Sequence, residues 1–299
     1  MGIIVRKDME AVDGLIREKT GAEGFCMIER LGGLTNHTYH VVLEDGREYA
    51  VRIPGEGTEE MIVRSDEKVS TELACRLGVD AQLLFFGDDG TKLTEFIKNG
   101  TTMSADSLKD PARIRKMAEI FRVIHDCGED TGVPFEVFDM AAGYEKIIRD
   151  LNVPMFADYK EKKAEVMAVK EQTDREADIR KVPCHNDPLC QNWVEAENGR
   201  LYLIDWEYAG MNDGMWDLAD ISIEAEFDEA LDDFLLEDYF GKAPARAEKK
   251  HFLASKIYVD YLWTLWAKTR VPFSGQDMED WAQERYARMK GNLEAFAAL

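Results

Sequence analysis

Cys184-His185-Asn186-Asp187-Pro188-Leu189-Cys190-Gln191-Asn192 runs into two short strand-like segments, Trp193-Val194-Glu195-Ala196 and Arg200-Leu201-Tyr202-Leu203-Ile204, and then into Asp205-Trp206-Glu207-Tyr208. Asn198-Gly199 stands between the two segments, the residue pair that a two-residue type I′ turn prefers. Pairing around such a turn sets Ala196 opposite Leu201 and, at the far end, Asn192 opposite Asp205. An amide and a carboxylate that are 13 residues apart in the chain thus meet at one end of a hairpin. Oxygen donors of this kind suit a hard cation such as Mg²⁺, completed by phosphate oxygens and water. Either residue alone reads as readily as an Asn closing a turn or an Asp capping a strand. The loop, the hairpin and the aspartate together point to a metal site.

Outward from the hairpin, the N-terminal part reads as a small sheet with helices. Residues 8–20 form a short amphipathic helix, and the stretch from Phe25 to Ile53 reads as strands. Leu31-Gly32-Gly33-Leu34-Thr35-Asn36 is a glycine turn leading into a strand. A glycine pair lets backbone N–H groups approach phosphate, and Thr35 and Asn36 add side-chain donors. Asp45-Gly46 reverses the chain, which places Arg52 opposite Tyr39 in a two-residue register. From there a guanidinium reaches phosphates held at the glycine turn and binds them bidentately. Residues 64–77 read as a helix stopped by Gly78. Gln82–Phe86 and Lys92–Ile97 flank Gly87-Asp88-Asp89-Gly90 as another hairpin. The segment Leu93–Ile97 is then an edge strand, and Lys98-Asn99-Gly100 ends the N-terminal part.

The rest of the chain reads as helices. Ser107–Cys127 has Ile114, Ala118, Phe121 and Ile124 at helical spacing, with His125 at the apolar edge as a core histidine. Tyr144–Leu151 is a short helix, and residues 158–181 are a charged, solvated helical run. Residues 247–269 and about 278–297 are the last two helices. Within the first of these, Trp263 and Trp266 lie three residues apart and share one face. Such a pair is either a tryptophan-rich core seam or a cage that holds a quaternary ammonium by cation–π attraction.

Composition narrows the function classes. The chain has 299 residues, 45% hydrophobic and 32% charged, enough for a sizeable core and two lobes. A net charge of −22 argues against a nucleic-acid partner and fits a cationic substrate, though solubility alone accounts for most of such charge. Five cysteines at irregular positions do not form a disulfide framework, and Cys184, His185 and Cys190 match no standard zinc spacing. The N-terminus lacks the form of a signal peptide, and no run has the length of a membrane span. The expectation is a reduced, cytoplasmic protein that does not insert into membranes; the oligomeric state is left open.

Asp187 and Asn192 have four residues between them, the spacing of a kinase catalytic loop. With Ile204-Asp205-Trp206-Glu207-Tyr208 and the run Trp206–Ala219, this set resembles the choline/ethanolamine kinase family, nearest its bacterial LicA-type choline kinases within the aminoglycoside-phosphotransferase-like kinases. The resemblance covers most of the chain and is most specific in the C-terminal half. It implies an α+β, protein-kinase-like bilobal fold: a β-rich nucleotide-binding N-lobe, residues 1–97, and a mainly helical C-lobe, residues 98–299. ATP and Mg²⁺ are the implied cofactors, and choline is the implied substrate. Adenine would bind the hinge backbone at Thr94, Glu95, Phe96 and Ile97. Gly32, Gly33, Thr35, Asn36 and Arg52 would hold phosphates. Arginine at position 52 departs from the common kinase lysine but matches the LicA-type variant. A helix carboxylate, Glu67 or alternatively Glu72, would pair with it. Asn192 and Asp205 would hold the metal, and Asp187 would orient and deprotonate the substrate hydroxyl. Asp217 would support the catalytic loop structurally. Asp187, Glu207, Tyr208, Glu224, Trp263 and Trp266 would surround the substrate. Gly214 stands where the family signature leads one to expect proline. A kinase for ethanolamine or another amino alcohol, or a choline-binding pseudokinase, are the competing readings.

Overall fold

The structure is a computed structural model and describes residues 6–31, 36–55 and 63–299. In chain order, residues 6–104 form α1 (Arg6–Thr20), β1 (Phe25–Arg30), β2 (Asn36–Leu43), β3 (Glu48–Pro54), α2 (Arg64–Leu77), β4 (Leu83–Phe86), β5 (Lys92–Glu95) and β6 (Thr101–Thr102). Then come α3 (Ala105–Leu108), α4 (Pro111–His125), α5 (Val137–Asp150), α6 (Tyr159–Glu176) and β7 (Lys181–Cys184). The hairpin β8 (Trp193–Glu195) and β9 (Leu201–Leu203) follows, and β10 (Gly210–Asp213), α7 (Met215–Glu224), α8 (Glu229–Phe240), α9 (Arg246–Ser274) and α10 (Gln276–Ala298) complete the chain.

These elements fall into two compact units. One comprises residues 1–104 with 191–209, the other residues 105–190 with 210–299. The division therefore differs from a single boundary after residue 97. The β8–β9 hairpin joins the N-terminal unit because β6 pairs with β8 and because Leu203 N–H donates to Val79 C=O.

The N-terminal unit is built on an antiparallel sheet of order β1-β2-β3-β5-β4. The expected edge strand, β5, lies between β3 and β4, so β4 is the edge. One face is apolar. Val12, Leu15 and Ile16 of α1 pack on Tyr39, Val41, Leu43, Tyr49, Val51 and Leu93. Alternation along each strand then sends Thr38, His40, Glu48, Ala50, Arg52, Lys92 and Thr94 to the other face.

Three hairpins close alike and correct the expected registers. Gly46 N–H donates to Leu43 C=O, Gly90 N–H to Gly87 C=O and Gly199 N–H to Ala196 C=O, at 3.0, 2.9 and 2.8 Å. Each loop has three residues and ends on a glycine with φ of +83°, +88° or +78°. A left-handed third residue is what the three-residue loop requires, and glycine supplies it without strain. Compared with two-residue turns, this shifts two registers by one. Arg52 pairs with Thr38 rather than Tyr39. Trp193 pairs with Leu203, so Ile204 N–H reaches Asn192 C=O at 2.9 Å and Asp205 lies one residue further on. A one-residue slip exchanges sheet faces, and here it turns Arg52 away from the apolar core that holds Tyr39.

The second unit is helical around α9, 29 residues long, which packs against α5, α6, α7 and α10. The helix expected over 107–127 is interrupted: Asp110 caps α4 by accepting from Ala112 N–H at 2.7 Å, with Pro111 in the first turn. The short β7–β10 ladder, Cys184 opposite Gly210, carries the loop that begins at His185 beside the start of α7. Among the described residues, no helix is long and apolar enough to cross a membrane.

Candidate active site

In the N-terminal unit, a cluster of charge sits on the sheet face away from α1. Arg52 is 5% exposed and forms an ion pair with Glu67 of α2, while its other amino group donates to Gly90 C=O at 2.9 Å. Glu67 rather than Glu72 is therefore the helix partner. Its second oxygen accepts from Arg64 at 2.7 Å. Burial alone would raise the Glu67 carboxyl; Arg52 beside it holds it below the usual range. A nucleotide's phosphates suit this arrangement, because a pinned guanidinium keeps its charge and its direction.

Asp205 closes the same cluster. It stands 3.7 Å from the Arg52 guanidinium, has a φ of +70°, and keeps 39% of its side chain exposed. The ladder bond from Ile204 to Asn192 brings the 8%-exposed Asn192 to the same hairpin end. A carboxylate and an amide oxygen form a donor set for a hard divalent cation, so the residues fit Mg²⁺. Glu207 lies in the N-terminal unit. Its carboxylate accepts from Asn36 at 3.3 Å and lies 3.9 Å from Arg64. Burial, then Asp205 and Glu67, push Glu207 up to about 7. Gly32, Gly33 and Thr35 lie outside the described residues.

The hinge continues β5. Phe96 N–H donates to Glu48 C=O at 3.1 Å, and Glu95, Phe96 and Ile97 line a cavity of about 500 Å³ together with Gln82, Asn198 and Tyr202. Arg52, Glu67 and Asp205 do not line that cavity. Thr94 points to the Arg52 face, one strand from Ala50.

In the second unit, the loop that carries Asp187 hangs from one buried carboxylate. Asp217 of α7 accepts from the backbone N–H groups of His185 and Asn186 at 2.8 and 2.7 Å. Asn186 takes a φ of +65° and is locked further by Asn212, which donates to its side-chain oxygen at 2.9 Å, and by Trp216, which donates to its C=O at 3.0 Å. The Asp187 C=O accepts from Leu189 N–H at 2.8 Å, which tightens the turn. His125 is a core histidine that also braces this carboxylate. Its ring lies 3.1 Å from Asp217 and 2.8 Å from the Tyr239 hydroxyl. Gly214 also has its reason here, since a Cβ at that position would meet His125 Nδ1 at 2.8 Å.

The aromatic pair is real and larger than the sequence suggested. Trp263 and Trp266 meet edge-to-face at 6.1 Å, and Trp266 meets Trp281 of α10 at 6.1 Å. Glu224 is ion-paired with Arg285, whose guanidinium lies 4.0 Å from the Trp281 ring. Asp220, one turn before Glu224, is fully buried, and neither carboxyl oxygen has a hydrogen-bond partner among the described residues. Burial, then Glu224 and Asp187, hold it well above the usual carboxylate range. Tyr208 belongs to the N-terminal unit. Sequence reasoning passed over Arg64, Asp220, Trp281 and Arg285. Only Trp281 carried a signal, as an aromatic residue on the last amphipathic helix.

Comparison with known proteins fits this geometry. An aminoglycoside 2′-phosphotransferase structure superposes with a TM-score of 0.69 over 95% of this chain and 96% of its own, at 15% identity, which shows the protein-kinase-like fold. The family model for choline/ethanolamine kinase matches residues 27–287, and the chain belongs to that family. A choline/ethanolamine kinase family protein from Mesorhizobium loti superposes with a TM-score of 0.84 at 32% identity, covering 96% of this chain and 94% of its own. The choline kinase LicA from Streptococcus pneumoniae gives 0.82 at 30% identity, covering 97% and 99%. Protein LicA of Haemophilus influenzae is 28% identical over 264 residues, 85% of this chain and 76% of its own. The protein is thus an ATP-dependent phosphotransferase with an alcohol acceptor.

Proposed function

We propose that the protein is a choline kinase, which transfers the γ-phosphate of ATP to choline to give phosphocholine and ADP. The observation that carries the choline reading over other amino alcohols is the Trp263–Trp266 pair on α9, in the same unit as Glu224 of α7. A trimethylammonium group offers no N–H donor, so it needs aromatic faces and an anionic field. A primary ammonium wants directed acceptors, and the Glu224 carboxylate is already engaged by Arg285.

The roles follow from the chemistry of each group. Arg52, held by Glu67, orients the nucleotide phosphates, and Asn36 contributes a side-chain amide. Thr94 to Ile97 carry the adenine. Asn192 and Asp205 would hold Mg²⁺, which when bound neutralises phosphate charge. Asp187 accepts the hydrogen bond of the choline hydroxyl and takes its proton. The freed oxygen forms a bond to the γ-phosphorus as the bond from that phosphorus to the β,γ-bridging oxygen breaks, and ADP leaves. Positioning and charge dominate the barrier; the proton transfer is a smaller contribution. Five free thiols and the choice of small polar substrates fit a reducing compartment, and we place the protein in the cytoplasm.

The test is kcat/KM for ADP release with choline and with ethanolamine, for wild type and Trp263→Ala. The proposal expects a preference for choline that the substitution removes, with KM for ATP unchanged. A preference for ethanolamine in the wild type would refute the choline assignment and leave the kinase assignment intact.

A further inference from the structure

A cluster of charge joins three helices of the second unit. Asp220 and Glu224 come from α7, Asp260 from α9, and Arg285 and Arg288 from α10. Burying charge is costly unless each group is paired, so the pairing decides what the cluster does. Asp260 is fully buried and is satisfied by Arg288, which donates to its two oxygens at 2.9 and 2.7 Å. Arg285 reaches Asp260 only at 3.4 Å. Its other amino group donates to Glu224, and its guanidinium lies 4.0 Å from the Trp281 ring.

Glu224 differs from its neighbours in being open. Its side chain is 17% exposed, against 3% for Arg285 and none for Asp220 and Asp260. Of these carboxylates, Glu224 is the one that a ligand can touch. The tryptophans are continuous with it: Trp263 meets Trp266, Trp266 meets Trp281, and Trp281 carries the guanidinium that binds Glu224. One Glu224 oxygen is taken by this bond, which ties the carboxylate to α10. The tie is firm, because a planar guanidinium against an aromatic face has little freedom of its own.

Choline and ethanolamine ask different things of such a carboxylate. A trimethylammonium presents methyl groups, is held by aromatic faces, and needs the negative charge only at van der Waals distance. A primary ammonium needs an oxygen aimed at an N–H, at about 2.7–2.9 Å. We infer that Arg285 sets the choice of choline over ethanolamine by tethering Glu224 to α10, so that the carboxylate supplies charge without closing in on a primary ammonium. This rests on the reading of the protein as a choline kinase with Glu224 beside the substrate. Arg285 does not touch substrate; it is a positioning residue, and Trp281 acts through it by holding its guanidinium.

Steady-state kcat and KM for choline and for ethanolamine, measured on the full chain, test this. Arg285→Met keeps the aliphatic stem and removes the charge, while Arg288 still satisfies Asp260. It should shift the ratio of kcat/KM at least about tenfold from choline toward ethanolamine, the gain from one charge-assisted hydrogen bond. The shift should fall on KM for the amino alcohols, with KM for ATP at the wild-type value. Arg285→Lys, which leaves a cation beside Glu224, should keep a ratio close to that of wild type. Arg285→Met combined with Glu224→Gln should show little of the shift relative to Glu224→Gln alone, because the released carboxylate is gone. If Arg285→Met does not fold, Arg285→Gln, which also removes the charge, carries the same expectation. A wild type that prefers choline, with the same ratio in the uncharged variant, would overturn the inference. The full shift in the double variant would overturn it too, since packing rather than Glu224 would then set the choice. A wild type that prefers ethanolamine would instead overturn the choline reading on which it rests.

Discussion

Replacing Asp217 by Asn tests how far one buried carboxylate supports catalysis without touching substrate. The two oxygens of Asp217 accept from His185 N–H and Asn186 N–H, and His125 approaches at 3.1 Å, all with zero solvent exposure at the carboxylate. An asparagine keeps one acceptor. Its amide nitrogen turns a donor toward a second donor, so one buried backbone N–H loses its partner and one charge-assisted bond disappears. The other contact survives if His125 shifts its ring proton and accepts from the new amide. The loss of one such bond costs about 2–3 kcal/mol, the range for hydrogen bonds to charged groups and for orphaned buried donors. In a protein of this size that lowers Tm by roughly 4–12 °C. Because His185 and Asn186 directly precede Asp187, kcat should fall by tenfold or more while KM for ATP changes little. Differential scanning calorimetry and steady-state ADP release measure both. A Tm within about 1 °C of wild type together with an unchanged kcat would show the carboxylate to be dispensable to the loop.

Three further outcomes follow from the same geometry. Glu67→Gln removes the counter-charge of the buried Arg52, which should destabilise the N-terminal unit by about 3–5 kcal/mol and raise KM for ATP at least tenfold, read by thermal melting and ATP titration. Asp220→Asn should stabilise the protein, and increasingly so as pH rises. The folded pKa lies above the ordinary 3.8, so the unfolded state ionises first and wild-type stability falls as pH climbs above that value, whereas Asn does not titrate. The Tm difference between the two should be larger at pH 8 than at pH 4.5; a difference independent of pH would contradict it. Gly214→Pro restores the expected signature residue and suits the local φ of −57°, yet its Cβ crowds His125. Overpacking of this kind costs about 1–3 kcal/mol, so Tm and kcat should fall rather than rise.

Much of this site was legible as chemistry before it was legible as geometry. Asp187, Asn192 and Asp205 stood out by spacing, and Arg52 by its place after a glycine turn. The registers failed for one physical reason. Asp45-Gly46 and Asn198-Gly199 look like two-residue turns, but the glycine in each takes the left-handed third position of a longer loop, a choice that tertiary packing of the strands makes. The contacts of Glu207 were not legible, because two residues past Asp205 the chain turns its carboxylate toward Asn36 and Arg64, and no periodicity encodes that turn. Arg285 and Asp220 were invisible for a different reason. A charged residue on an amphipathic helix reads as solvated, and only the packing of α7, α9 and α10 buries Arg285 against Glu224 and Asp260. Pro111 begins α4, inside the stretch from Ser107 to Cys127 that reads as one helix in the sequence.

The central claim is that Asp187 directs the γ-phosphate of ATP onto the hydroxyl of choline. Phosphorus NMR of a reaction containing Mg-ATP and choline tests it most directly, run with wild type and with Asp187→Asn, whose fold is checked by its melting curve. Phosphocholine and ADP should accumulate in equal amounts with wild type, and both should be lost with a folded Asp187→Asn. Inorganic phosphate in place of phosphocholine, or undiminished phosphocholine from the variant, would contradict the account.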